Sequence, residues 1–95
     1  AEAAPEHTAD LRVARRDLDL NGHANNVAFA RWALEALPPR VYDDSELDRL
    51  DYAVRQEALW GQAIGAESIV DGEGAWLHRI TRDGEELALV ASHWK

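Results

Sequence analysis

The stretch RRDLDLNGHANNVAFARW, residues 15–32, decides how the rest of the chain is read. Asp19, Asn21 and His23 stand at alternate positions, two asparagines follow, and only then does an apolar pattern begin. A plain connection would need one helix cap and one glycine. Alternate residues of an extended segment face the same way, so these three side chains can share one side of the turn. They precede a helix start, whose first N–H groups have no intrahelical partner and carry partial positive charge. A carboxylate beside free N–H donors suits attack on a carbonyl, with the donors holding the developing oxyanion. Gly22, inside the turn, serves a backbone angle or a close approach.

Downstream, Val27, Ala30, Leu34 and Leu37 recur at helical spacing and predict a helix from about Asn25 to Leu37. Asn25 or Asn26 caps its start and Pro38-Pro39 stops it. Ala28, Ala30, Ala33 and Ala36 keep it thin enough for another element to wrap closely around it. Upstream, residues 10–17 read as a strand and residues 1–9 as a small, polar, proline-bearing linker. After the helix, the acidic segment 43–49 reads as a loop with a short helical turn. In LDYAVRQEALW, residues 50–60, one face of a strand carries Leu50, Tyr52, Val54, Ala58 and Trp60, and the other Asp51, Arg55 and Glu57. AESIV, AWLHRIT and ELALVASHW predict three more strands, with DGEG and RDGE as hairpin turns. Strand, helix and about four antiparallel strands make an α+β domain, a long antiparallel sheet curled round one helix.

Composition bounds the partners. Ninety-five residues suit one domain, and 46% hydrophobic content with four tryptophans opposes disorder. The tryptophans read as core or interface material. No apolar run approaches the roughly 18 to 20 residues of a membrane span, and no signal-peptide pattern opens the chain. With no cysteine there is no disulfide, thiolate nucleophile or thiolate metal site, which suits a cytoplasmic protein. A net charge of −8 argues against nucleic acid and opposes anionic substrates at long range. Yet five of the nine arginines lie in the first 40 positions, so a local basic patch is compatible with an acidic molecule. The chain lacks methionine, as an excised piece of a longer protein would. His7 falls in the linker, and His78 and His93 read as edge or interface residues of strands rather than metal ligands. Neither a metal nor a cofactor is expected.

DLDLNGHANNVAFARWALEALP, residues 17–38, resembles the motif of the acyl-ACP thioesterases of plants and bacteria, roughly D-L-D-x-N-x-H-x-N-N-x-x-Y/F-x-x-W-x-L-E. That family has two tandem hotdog domains, with the motif in the C-terminal one. The resemblance implies a hotdog fold over residues 10–95, paired with a second hotdog or with its own copy. It places the family's catalytic Asp, Asn and His on Asp19, Asn21 and His23. The family's catalytic glutamate, in an R/Q-E-C stretch, falls on Glu57 of VRQEALW, 34 residues past His23. The cysteine of that stretch is Ala58 here, so a thiol mechanism is excluded.

The implied activity is hydrolysis of a fatty acyl thioester, on acyl carrier protein or CoA, to free acid and thiol, within fatty acid biosynthesis. Asp19 would attack the carbonyl or activate water, with Asn21 and His23 orienting it. N–H groups at the helix start, near Asn25 and Asn26, would hold the oxyanion, and Glu57 would position or deprotonate the water. A different class is a non-catalytic hotdog module for acyl-chain binding or dimerisation. A hotdog dehydratase or hydratase fits less well, because its His and acidic residue come in a different local pattern.

Overall fold

A computed structural model describes residues 5–95. Its element order is β1 (His7–Arg12), a 3-10 turn (Arg15–Asp17), α1 (Asn26–Glu35), α2 (Pro39–Asp44), β2 (Leu47–Val54), β3 (Ala63–Val70), β4 (Ala75–Arg82) and β5 (Glu85–Trp94). The five strands form one antiparallel sheet in the order β1-β3-β4-β5-β2, and α1 lies against β2 to β5.

The thin helix works as its alanines suggest. Ala28, Ala30, Ala33 and Ala36 are all buried, which lets the sheet approach closely. Phe29 and Trp32 supply bulk, meeting edge to face at 4.9 Å between ring centres, above Ile64, Ala66, Ile80 and Val90. A smaller cluster of Leu37, Val41 and Trp76 seats α2, where Tyr42 donates from its hydroxyl to the carbonyl of Leu34 at 2.8 Å. Burial, and secondarily the charge of Glu35, raises the Tyr42 phenol above its usual value. Val27, assigned to the apolar face, is instead 56% exposed, because the buried arc runs through 28, 29, 32, 33 and 36. No helix is long and apolar enough to cross a membrane among the described residues.

Other expectations need correction as well. The sheet starts at His7, inside the segment assigned to the linker, because residues 7–9 pair with Ser68, Glu67 and Ala66 of β3. Residues 1–4 of that linker lie outside the described residues. The first strand also ends at Arg12 rather than running to Asp17: the Asp17 carboxylate accepts the Ala14 N–H at 2.8 Å and winds the chain into a tight turn. Finally, His78 is no edge residue. It stands in β4, the middle strand, with no exposure at all.

The 50–60 segment is strand only to Val54. Beyond it the N–H groups of Arg55 and Gln56 both donate to the carbonyl of Leu87, which ends the ladder. Tyr52, on the edge strand, and Trp60, past the strand end, are 44% and 57% exposed. Ala58, by contrast, is completely buried.

Candidate active site

Asp19 builds the turn that carries the candidate residues. Its Oδ1 accepts the N–H groups of Asn21 (2.9 Å) and His23 (3.2 Å), while its own N–H donates to the carbonyl of His23 at 2.8 Å. Side-chain capture of backbone two residues on is what Asp does in such turns. Gly22 adopts φ +81°, and a Cβ there would meet nothing, so the glycine answers to backbone angle alone. With Oδ1 so occupied, Oδ2 accepts no hydrogen bond among the described residues and is left for other work.

His23 faces the far end of the β2 segment. Its Nδ1 lies 3.3 Å from Oε1 of Glu57. The approach is held by backbone: His23 bridges to Leu59, and the Ala24 N–H donates to the carbonyl of Ala58 at 2.9 Å. Glu57 thus reaches the site because the strand has already ended, and buried Ala58 pulls the loop against the helix start. A cleft of about 270 Å³ brings Asp19, His23, Asn26 and Glu57 together beside Phe29 and Val54. Asn21 does not join them; its side chain is exposed and stands outside the lining.

The two asparagines divide their labour. Asn25 is the helix cap, its side-chain oxygen accepting the Ala28 N–H at 2.9 Å, and its N–H donates to the carbonyl of Asp17. That cap is worth about 1 kcal/mol. The N–H groups of Asn26 and Val27 have no partner among the described residues, as expected for a first helical turn. They are the donors available to an oxyanion, with the helix dipole adding to their positive character.

A match to the family model for the acyl-ACP thioesterase C-terminal domain runs over residues 2–95. The chain belongs to that family. The palmitoyl-acyl carrier protein thioesterase of Cuphea hookeriana is 32% identical across 95% of this chain and 24% of its own length. The oleoyl-acyl carrier protein thioesterase 1 of Arabidopsis thaliana is 26% identical across 90% of this chain and 29% of its own length. The chain therefore spans about a quarter of these curated relatives. In shape it matches the 12:0-ACP thioesterase of Umbellularia californica with a TM-score of 0.85 at 19% identity, covering 96% of this chain and 36% of the other. A Bacteroides thetaiotaomicron acyl-ACP thioesterase matches with a TM-score of 0.83 at 20% identity, over 97% and 37%. The fold is the hotdog.

Two supports of this acyl-ACP thioesterase domain escaped the sequence pattern. Asp17, only 4% exposed, receives the Ala14 N–H on one oxygen and the Arg31 guanidinium on the other at 3.1 Å, while its carbonyl holds the cap residue Asn25. It ties the motif turn to α1. On the opposite side Arg82 donates to the carbonyl of Glu57 (2.8 Å) and to Gln62 (2.9 Å), and the Gln62 side chain accepts the Leu59 N–H. Only the repeated Asp of D-L-D hinted at the first. Nothing local pointed to the second, since Arg82 lies 25 residues beyond Glu57.

Proposed function

We propose that this domain hydrolyses a fatty acyl thioester, carried on acyl carrier protein, to free acid and thiol. One observation carries the proposal: a held carboxylate, a His–Glu pair 3.3 Å apart and the unpartnered N–H groups of a helix start meet at one cleft. In this mechanism Oδ2 of Asp19 takes a proton from water as its oxygen bonds to the thioester carbon. The carbonyl electron pair moves to oxygen, where the N–H groups of Asn26 and Val27 stabilise it. Collapse breaks the C–S bond, the thiolate takes up the proton, and acid plus thiol leave. Glu57 holds the water and orients His23, while Asn21 contributes through its backbone N–H to the posture of Asp19.

The cleft sits at the small end of ligand sites, which run to roughly 300–1,000 Å³, so a fatty chain needs a second hotdog to enclose it. β2 lies at the sheet edge with Leu47 and Tyr52 exposed, and an unpaired edge invites strand addition. Pairing with a second hotdog, or with its own copy as a homodimer, is therefore part of the proposal. A cytoplasmic setting rests on the cysteine-free composition alone.

The test is acid release from a panel of acyl carrier protein and acyl-CoA thioesters. Absence of hydrolysis by the chain, alone and with a hotdog partner, would leave an acyl-binding module. A first turnover in ¹⁸O-water should place the label in the released acid. Unlabelled acid in that turnover would instead make Asp19 a nucleophile.

A further inference from the structure

Glu57 stands on backbone that belongs to no strand. β2 ends at Val54 and β3 begins at Ala63, so residues 55–62 must satisfy their polar groups outside the ladder. Most of them lean on segments already fixed. Arg55 and Gln56 donate N–H groups to the Leu87 carbonyl, Ala58 accepts from Ala24, and Gly61 donates to Val13. Leu59 donates to the Gln62 side chain and accepts the Gln62 N–H. Glu57 differs. Its peptide groups have one partner among the described residues, the Arg82 guanidinium, which donates to the Glu57 carbonyl at 2.8 Å.

That restraint matters because the Glu57 side chain has two places to go. It lines the cleft of about 270 Å³ shared with Asp19 and His23, and also a second cleft of about 420 Å³ shared with Leu59, Gln62 and Arg82. With the side chain 67% exposed, packing does little to choose between them. The backbone has to choose, and Arg82 holds the backbone. Arg82 closes β4, a strand paired on both sides, so its guanidinium is anchored in the body of the sheet. The same Nη1 also donates to Oε1 of Gln62 at 2.9 Å, and that oxygen accepts the Leu59 N–H. One nitrogen therefore spans both sides of the loop. A hydrogen bond from a charged donor is roughly twice as strong as a neutral one, which suits a lone tether.

We propose that Arg82 is a positioning residue for the hydrolysis: braced by Gln62, it holds the Glu57 backbone so that the carboxylate faces His23 and not the second cleft. This rests on the thioesterase reading above, in which Glu57 holds the water and orients His23. Arg82 touches neither substrate nor water in this role. It acts only through Glu57, and that restriction is what can be tested.

The test is a double-mutant cycle read on kcat and KM separately. Arg82→Met removes the donor and keeps much of the side-chain bulk. It is expected to lower kcat by about three- to tenfold with KM within about twofold, the split for a group that acts after binding. In a Glu57→Ala background the same substitution should cost less than about twofold more, because residues that act through one another are not additive. A full repeat of the loss in that background overturns the proposal and makes Arg82 a general brace of the fold. An unchanged kcat in Arg82→Met overturns it too. Should Arg82→Met fail to fold, Gln62→Leu, which removes the acceptor bracing the same guanidinium, takes its place under the same criteria. If the wild type hydrolyses no thioester, the thioesterase reading fails, and the His23 ring then reports positioning by itself. Its Nδ1 ¹⁵N resonance at one fixed pH is expected to shift in Glu57→Ala and to shift the same way in Arg82→Met. A ring that Arg82→Met leaves at its wild-type resonance overturns the proposal.

Discussion

His23 and His78 are the same side chain set among oxygen partners, yet one belongs to the candidate chemistry and the other to the core. His78 is completely buried, with Nδ1 2.6 Å from the Ser68 hydroxyl and Nε2 2.7 Å from that of Ser92, which also accepts the Trp94 indole N–H at 2.9 Å. Hydroxyls donate or accept as required, so a neutral ring is satisfied on both sides. Burial then disfavours the charged form and lowers its pKa to about 4. His23 instead has a carboxylate 3.3 Å away whose side chain is 67% exposed, and its own side chain is 40% exposed. Its ring is therefore open to the cleft and to solvent, where it can orient the reacting groups. Burial and partner type, rather than the imidazole, separate the two roles.

The comparison breaks most sharply at Asp19. Asp19→Asn is expected to lower turnover about a thousandfold, within the range for loss of a general base, with the melting temperature nearly unchanged. A variant keeping most of its activity would remove Asp19 from the chemistry.

The next largest effect belongs to His78. The group titrates at about 6.5 when unfolded and about 4 when folded, so between those values the unfolded chain binds the extra proton. Stability is fully present above about pH 6.5, falls as pH drops through that window, and loses about 3 kcal/mol below pH 4. Urea unfolding across pH 4–7 measures it, and His78→Phe should flatten that part of the profile. His23→Phe should reduce turnover instead. The reverse assignment of effects would exchange the roles of the two histidines.

Smaller effects sharpen the site side. Glu57→Ala is expected to cost about tenfold in turnover, at the low end for a group assisting proton transfer, with no measurable loss of stability at so exposed a position. If the variant is silent, the site shrinks to Asp19, His23 and the helix start. Ala58→Cys restores the residue that the resemblance places there, and should change kcat by less than about threefold, because no step of the mechanism uses a side-chain thiol. A large gain would put sulfur back into the reaction.

Much of this was legible from local pattern. The α1 helix, its asparagine cap, its alanine-rich buried side and the hairpins of β3 to β5 all came from residues a few positions apart. Asp19 and His23 were legible as a turn for the same reason. The strand through residues 10–17 failed because a side chain, Asp17, outcompeted the ladder for the Ala14 N–H. The edge placement of His78 failed because its partners lie 10 and 14 residues away, on two other strands. Asn21 was grouped with Asp19 and His23 by alternation, but the Asx-type turn is not extended, and its side chain left the shared face.

By itself, then, the sequence determined the α1 helix with its cap, the hairpins of β3 to β5, and which short motif could hold an oxyanion beside a carboxylate. Those choices follow from hydrogen bonds and apolar periodicity within about one or two turns of chain. Only the tertiary structure decided that Glu57 meets His23, that Arg31 ties Asp17 to α1, and that Arg82 holds the Glu57 loop. Burial and charge pairing depend on which distant segments the folded sheet brings within a few ångströms, a property no local spacing encodes.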